Sequence, residues 1–198
     1  MTRMNPDSVS IIVLAPGLST RFGRNRLLEP AGERTMIESV VSECMTSKAD
    51  QVIVVCGHDA DKVKSVLKDY KCDIVFDEDY QKGESYSVKK GLSRVNGDAD
   101  AVIVLPGDSG VADRKTINAM IREYSSCYAP IITEGYRANY GRAILFDKNL
   151  FGELNGLTEE SEGLASLLVK YRSKRRLIKS SEALLLRLDR RGSLLRRS

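Results

Sequence analysis

Residues 11–26 read IIVLAPGLSTRFGRNR, an apolar run followed at once by a polar loop. The apolar run is typical of a strand that is covered on both faces of a sheet. The loop carries Gly17 and Gly23, small hydroxyl side chains and three arginines. Glycines let the main chain turn tightly and approach a ligand, and a loop at the carboxyl end of a strand offers backbone N–H groups to phosphate. The stretch therefore predicts a nucleotide site.

The spacing of the glycines excludes two common phosphate-binding motifs. A Walker A loop needs Gly, four residues, and then Gly-Lys-Ser or Gly-Lys-Thr, whereas five residues separate Gly17 from Gly23 and no lysine follows. The dinucleotide fingerprint needs a third glycine and an acidic residue after the next strand. This loop has no third glycine, and the next apolar run, Gln51–Cys56, is followed by Gly57.

Length and composition point to one cytoplasmic domain. The 198 residues, 42% of them apolar, suffice for a sizeable core. No apolar segment is long enough to span a bilayer, and residues 1–7 lack the apolar core of a signal peptide. The four cysteines form no C-x-x-C pair, so we expect them to pack as small apolar residues rather than to bind zinc.

Basic residues gather near the C-terminus, although the formal net charge is only +4. They occupy much of residues 170–176 and 190–197. Such a run is typical of a solvated face or a frayed tail, and a nucleic-acid surface is the alternative. We therefore expect a single domain over residues 1–198 in which the basic segment 180–198 is a flexible appendage.

Short apolar runs alternate with amphipathic stretches along the chain, which is the pattern of repeated β-α units. This alternation predicts an α/β fold, a three-layer Rossmann-like sandwich with a mostly parallel central sheet. The predicted strands are Val9–Leu14, Gln51–Cys56, Cys72–Phe76, Ala101–Leu105, Ala129–Thr133, Arg142–Phe146 and Ala183–Leu188. The predicted helices are Met36–Thr46, Asp61–Tyr70, Ser87–Val95, Arg114–Tyr124, Lys148–Leu154 and Glu162–Tyr171. Thr35 and Glu38 predict a capping box, and Asp113 predicts an N-cap.

Three unusual segments follow predicted strands and should meet at one edge of the sheet. They follow Leu14, Phe76 and Leu105. Ligands of open α/β sheets bind beyond the carboxyl ends of the strands. The agreement of the three segments is stronger support for a ligand site than any one of them.

The run from Leu14 to Arg26 resembles L-A-A-G-x-S-x-R-[FM]-G-x-x-K, the opening motif of the MobA-like nucleotidyltransferases. Pro16 stands where Ala is usual, and Arg26 stands where Lys is usual. The similarity extends from about residue 10 to about residue 170 and is closest to the molybdenum cofactor cytidylyltransferase branch. The matching residues are Leu14, Ala15, Gly17, Ser19, Arg21, Phe22 and Gly23.

The turn Pro106-Gly107-Asp108 resembles the metal-binding turn L-G-D-Q-P of that family. Mg²⁺ prefers one or two carboxylates together with phosphate oxygens and waters, so Asp108 is a candidate metal ligand. The alternative is that Asp108 only organises a glycine-containing turn. The resemblance implies a second carboxylate late in the chain, for which Asp189 is the nearest counterpart. Two interpretations of Asp189 stay open, namely a metal ligand and a residue at the exposed end of a helix or strand.

The loop from Gln81 to Leu92 resembles the family pattern E-G-M-S-x-S-[LI]-x-x-G-L, which closes over the nucleobase. Lys82 and Glu84 depart from that pattern. Ser85 and Ser87 match it, although either hydroxyl could simply cap a helix. The family segment G-D-x-G reads Glu160-Ser161-Glu162-Gly163, and its G-H-P segment has Arg142 at the central position. Because the family's acceptor-facing segments differ here, the acceptor cannot be assigned.

These observations predict a Mg²⁺-dependent nucleotidyltransferase that moves a nucleotide from a nucleoside triphosphate to a phosphorylated acceptor and releases pyrophosphate. The resemblance implies that the nucleoside triphosphate is CTP or GTP. The resemblance implies a molybdopterin-type acceptor. Arginines bind phosphate oxygens in a bidentate manner, so Arg21 and Arg26 are predicted to be catalytic together with Asp108. Two alternatives remain, namely a nucleotide-binding protein that has lost catalysis and a sugar-phosphate nucleotidyltransferase. The predicted nucleotide-binding residues are Leu14, Ala15, Gly17, Ser19, Arg21, Arg26, Gly83, Ser85, Ser87 and Asp108, and the predicted metal ligands are Asp108 and Asp189.

Overall fold

A seven-stranded mixed sheet is the centre of the fold in the computed structural model, which describes residues 7–17, 25–108, 113–136 and 139–179. The strands of this sheet are β1 (Val9–Ala15), β4 (Gln51–Cys56), β5 (Asp73–Phe76), β6 (Ala101–Pro106), β7 (Ile131–Tyr136), β8 (Asn139–Asp147) and β9 (Arg175–Lys179). A separate two-stranded hairpin is formed by β2 (Pro30–Ala31) and β3 (Arg34–Thr35). Within the described residues no helix is long and apolar enough to cross a membrane.

The strand order is β5-β4-β1-β6-β8-β7-β9. β1 pairs in parallel with both β4 and β6, and β4 pairs in parallel with β5. β8 is antiparallel to β6 and to β7, while β7 and β9 are parallel to each other. Six strands therefore run in one direction and β8 runs in the other, which confirms the mostly parallel sheet.

Helices cover both faces of the sheet and give it three layers. The helices are α1 (Met36–Met45), α2 (Ala60–Val66), α3 (Glu84–Leu92), α4 (Arg114–Cys127), α5 (Phe151–Asn155) and α6 (Leu164–Lys170). α1, α2 and α4 share one apolar core with Ile11 and Val13, whereas α3, α5 and α6 share the other with Ile12 and Leu14. This alternation along β1 follows from the two-residue period of a strand.

Two predicted helix starts are confirmed in detail. Thr35 and Glu38 form the capping box of α1, because the Glu38 N–H donates to the Thr35 hydroxyl and the Thr35 N–H donates to the Glu38 carboxylate. Asp113 caps α4 by accepting a hydrogen bond of 2.7 Å from the N–H of Thr116.

Other predicted boundaries differ from the structure. α3 begins at Glu84 rather than at Ser87, with Gly83 as its N-cap, so neither Ser85 nor Ser87 caps the helix. α2 ends at Val66 instead of Tyr70, and the predicted helix Lys148–Leu154 is split into a 3-10 turn and the short α5. β9 was not predicted, because its basic residues resemble a solvated run. The predicted strand Ala183–Leu188 lies outside the described residues.

Candidate functional site

A cleft of about 260 Å³ opens at the carboxyl ends of β1 and β6. Its walls come from the three segments that the sequence predicts to converge, which follow β1, β5 and β6. The residues that line it are Leu14, Pro16, Gly17, Leu27, Tyr80, Gln81, Gly83, Glu84, Ser87, Pro106 and Asp108. The convergence of the three loops is therefore present in the described part of the chain.

The turn that carries Asp108 is held against the end of β1. The N–H of Gly107 donates a hydrogen bond of 2.7 Å to the carbonyl oxygen of Leu14. A Cβ at Gly107 would lie 2.8 Å from the end of the Ile37 side chain and 3.1 Å from that carbonyl oxygen, so a larger residue would require these neighbours to shift. Asp108 is consequently fixed at the rim of the cleft.

Gly17 shapes the loop after β1 at the same rim of the cleft. Its φ of +72° lies in the left-handed region, which favours glycine. A Cβ there would also lie 2.7 Å from the carbonyl oxygen of His58, and the His58 N–H donates a 2.8 Å hydrogen bond to the carbonyl oxygen of Pro16. The loop after β1 therefore needs a glycine at this position for both conformational and steric reasons.

Arg26 lies beside the cleft, where it forms an ion pair with Asp108. The Arg26 Nη1 atom lies 3.1 Å from Asp108 Oδ2, and the two side chains are 26% and 27% exposed. Arg26 begins a 3-10 turn, Arg26–Leu28, whose cap is Asn25 and whose Leu27 is buried in the core. The buried leucine and the cap hold the arginine at the rim.

The carboxylate of Asp108 suits a divalent cation that is bound chiefly by phosphate oxygens. Among the described residues there is no group of three or more His, Cys, Asp or Glu side chains that could hold a metal ion. Mg²⁺ does not require such a group, because one or two carboxylates together with phosphates and waters suffice. The donor set around Asp108 therefore fits a metal that arrives with a nucleotide.

The wall of the cleft that follows β5 is held in place by a hydrogen bond between Ser87 and Asp77. The Ser87 hydroxyl donates a 2.7 Å hydrogen bond to Asp77 Oδ2, and both residues are buried. The other oxygen of Asp77 accepts from the N–H of Asp79 at 3.0 Å. Asp77 directly follows β5, and a carboxylate directly after a strand is a signal in the sequence for a residue at this edge of the sheet.

Glu159 supports this wall from a distant part of the chain. Its Oε1 atom accepts a 2.7 Å hydrogen bond from the N–H of Ser85, and Gly83, at φ +129°, leaves the space that the Glu159 carboxyl group occupies. Glu160 begins the segment that corresponds to the family's G-D-x-G, but Glu159 is the residue that makes this contact. The acidic run before Gly163 was the only signal for it.

Glu84 brings a negative charge to the same wall. Desolvation of the carboxyl group and, to a smaller extent, the negative charge of Glu159 raise the pKa of Glu84 above its ordinary value. Although the residue as a whole is exposed, its carboxyl group is partly surrounded by neighbouring atoms. Ligand groups that donate hydrogen bonds to this carboxylate would offset the cost of its desolvation.

The structure brings most of the described predicted site residues together, but not all of them. Leu14, Gly17, Gly83, Ser87 and Asp108 line the cleft, and Arg26 contacts it through Asp108. Those that do not line it are Ala15 and Ser85. Ala15 is buried within β1, and the buried hydroxyl of Ser85 faces Gly163 and has no hydrogen-bond partner among the described residues. Ser19, Arg21 and Asp189 lie outside the described residues, and the side chain of Arg142 is not described.

The geometry of a cleft between glycine-rich loops agrees with a direct family match. The MobA-like NTP transferase domain matches residues 11–177. The chain belongs to this family. The match confirms the predicted nucleotidyltransferase class of the domain and the α/β fold expected with it.

Individual relatives of this MobA-like NTP transferase domain differ in length and in likeness. The bifunctional protein GlmU of Staphylococcus carnosus is 28% identical over 157 residues, which cover 76% of this chain and 34% of that protein. The chain spans between about a third and a half of the length of the curated relatives it matches.

Solved structures of one mycobacterial protein share the fold over most of both chains. The crystal structure of Rv0371c from Mycobacterium tuberculosis H37Rv has a TM-score of 0.78 and 24% identity, covering 89% of each chain. The complex of Rv0371c with manganese has a TM-score of 0.74 and 22% identity, covering 88% of this chain and 89% of that one. Likeness at this level of identity establishes the fold.

Proposed function

We propose that the protein is a divalent-metal-dependent nucleotidyltransferase that transfers a nucleoside monophosphate from CTP or GTP to a phosphorylated acceptor. The observation that carries the proposal is the meeting of Asp108, Arg26 and the Gly17 loop at one rim of a cleft. A metal-binding carboxylate, a guanidinium group and a tight glycine turn are the groups that a bound triphosphate needs. Mg²⁺ is the proposed ion, and the cytoplasm expected from the sequence is the proposed compartment.

The proposed reaction requires positioning and charge neutralisation rather than a nucleophilic side chain. An oxygen of the acceptor phosphate attacks the α-phosphorus of the nucleotide and forms a new P–O bond. The bond between the α-phosphorus and its bridging oxygen breaks, and pyrophosphate leaves with that oxygen. Fixed positive charge lowers the barrier to such a step by stabilising charge that builds up on the phosphate oxygens.

Each of the site residues has a distinct role in this proposal. Arg26, with Arg21, binds the β- and γ-phosphates, and Gly17 lets the backbone approach them. Asp108, with Asp189 as the candidate second ligand, holds the divalent cation. When it is bound, that cation supplies charge neutralisation at the α-phosphate. The manganese complex of Rv0371c supports a divalent ion in this fold.

The remaining predicted residues bind the nucleoside or support its loop. Leu14, Gly83 and Ser87 are proposed to contact the nucleoside, because they line the cleft. Ser85 and Ala15 act from behind the cleft wall, Ser85 through its N–H bond to Glu159 and Ala15 through its place in β1. Ser19 completes the proposed phosphate-binding loop.

The proposal is tested by pyrophosphate release from the purified protein with Mg²⁺, each of the four nucleoside triphosphates, and a panel of phosphorylated acceptors. The panel includes pterin phosphates and sugar 1-phosphates, which separates the molybdopterin-type acceptor from the sugar-phosphate alternative. Asp108→Asn should reduce turnover at least 100-fold, because the amide cannot replace a charged metal ligand. Asp98→Asn removes an exposed carboxylate that precedes β6 and should leave turnover unchanged.

The alternative of a binding protein without catalysis is favoured by one observation, namely that Asp108 is already paired with Arg26. Calorimetry separates the two functions. Nucleotide binding that does not change in Asp108→Asn, together with the absence of pyrophosphate release across the whole panel, would identify a non-catalytic nucleotide site and contradict the transferase.

A further inference from the structure

The walls of the cleft have opposite chemistry. The wall formed by the ends of β1 and β6 carries Gly17 and Asp108, and Arg26 is paired with Asp108 there. These groups suit phosphate and metal. The wall that follows β5 carries the carboxylate of Glu84, and the carboxylate of Glu159 lies close behind it. A ligand that spans the cleft must therefore place different groups against the two walls.

Charge decides which part of the substrates can face Glu84. The inference rests on the proposed function, in which a triphosphate, a nucleobase and a phosphorylated acceptor occupy the site. The triphosphate and the acceptor phosphate are anions and are repelled by a pair of carboxylates. At the N-terminus of α3, the N–H of Ser85 already donates to Glu159 and is therefore not available to an anion. The uncharged nucleobase is the group that remains for this wall.

The backbone around Glu84 is fixed on both sides, so its carboxylate is presented from a rigid support. Gly83, the preceding residue, lies against the Glu159 carboxyl group, and the N–H of Ser85 is bonded to that same group at 2.7 Å. One turn later Ser87 is bonded to the buried Asp77 at 2.7 Å. Rigid support of this kind lets one side chain discriminate between ligands.

We propose that Glu84 is the residue that selects the nucleobase and that the base it selects is guanine. An ionised carboxylate has acceptors only, so it binds best to two neighbouring N–H donors. Guanine offers such a pair at N1 and at its exocyclic amino group. Cytosine and adenine offer one amino group beside a ring nitrogen that is itself an acceptor, and uracil offers one N–H between two carbonyl oxygens.

The position of Glu84 in the sequence adds to this argument. It is a position at which the loop departs from the family pattern, which has an uncharged methionine there. A carboxylate at this position is a property of this chain rather than of the resemblance. Donors from a guanine would also oppose the desolvation and the repulsion by Glu159 that raise the pKa of Glu84.

The test is calorimetric titration of the full chain with GTP, CTP, ATP and UTP in the presence of Mn²⁺. Wild-type protein should bind GTP about 10-fold to 100-fold more tightly than each of the other three, as expected for a two-bond readout of a base edge. Glu84→Gln should weaken GTP binding by a similar factor. In Glu84→Gln, CTP and ATP should bind at least as tightly as GTP. The glutamine amide can accept from the amino group of cytosine or adenine and donate to the neighbouring ring nitrogen.

Two controls keep the outcome interpretable. Glu33→Gln makes the same chemical change at an exposed position in the β2–β3 turn and should leave all four affinities unchanged. Circular dichroism and the melting temperature should show that Glu84→Gln is folded. Binding of the nucleotides without a preference for GTP, or a preference that survives in Glu84→Gln, overturns the role of Glu84 alone. No binding of any nucleotide overturns the proposed function as well.

Discussion

The ion pair between Arg26 and Asp108 predicts that the arginine opposes metal binding in the absence of nucleotide. The Asp108 carboxylate cannot coordinate a cation fully while Arg26 Nη1 lies 3.1 Å from Oδ2. A metal ion that binds alone must therefore break this contact and accept a guanidinium group as its neighbour. Replacing Arg26 by Gln removes both costs, and we expect Arg26→Gln to bind Mn²⁺ more tightly than the wild-type protein does.

The size of the effect follows from the exposure of the pair. Both side chains are about a quarter exposed, so the contact is screened by solvent and is weaker than a buried pair. An ion pair of this kind contributes about 1 kcal/mol, at the upper end of the range for exposed pairs. Since 1.4 kcal/mol corresponds to a factor of ten, the dissociation constant for Mn²⁺ should fall about fivefold.

Electron paramagnetic resonance of free Mn²⁺ measures this constant without nucleotide and without activity. Arg34→Gln is the matched control, because it removes an exposed arginine that is bonded to Ser42 rather than to the site. Asp108→Asn should weaken Mn²⁺ binding in either background. Mn²⁺ affinity that stays the same or falls in Arg26→Gln, while Asp108→Asn still weakens it, would refute competition between the guanidinium group and the metal.

Two further predictions concern packing and thiol reactivity. Gly91→Ala should lower the free energy of unfolding in urea by about 1–3 kcal/mol, because its Cβ would lie 2.5 Å from the Ile12 side chain. Gly152→Ala is the control, because a Cβ there has no heavy atom within 4 Å. It should raise the free energy of unfolding by about 0.5–1 kcal/mol, since alanine favours the helical conformation of α5. Equal effects of the two substitutions would contradict this packing. Burial raises the pKa of the Cys44 and Cys56 thiols to about 12. At pH 8 both should therefore resist alkylation in the native protein and react once it is unfolded, and rapid native labelling detected by mass spectrometry would contradict their burial.

The parts of the fold that were predictable have strong local signals. β1 was predicted within one residue of its end, because a continuous apolar run stops at a proline and a glycine. The cleft was predicted because the carboxyl ends of parallel strands meet at one edge, which makes the loops after β1, β5 and β6 neighbours without any knowledge of side chains.

The parts that were missed depend on contacts between distant residues. The direction of β8 has no signature in its own sequence, since an apolar strand has the same pattern whichever way it runs. β9 is an edge strand in which Ile178 is buried and Arg176 and Leu177 are exposed, so its composition resembled a solvated segment. The bond between Ser85 and Glu159 joins residues 74 positions apart, and no local pattern predicts such a pair.

The ion pair between Arg26 and Asp108 implies that metal and nucleotide bind cooperatively. Without ligands, Arg26 neutralises Asp108 at one wall, while desolvation and the charge of Glu159 raise the pKa of Glu84 at the other. A triphosphate draws the guanidinium group of Arg26 toward its own oxygens and away from Asp108, which favours metal binding by this carboxylate. The metal in turn draws Asp108 away from Arg26, which favours binding of the guanidinium group to the phosphates. Linkage requires the two effects to be equal. The factor by which GTP raises Mn²⁺ affinity must therefore equal the factor by which Mn²⁺ raises GTP affinity, and both factors should shrink in Arg26→Gln.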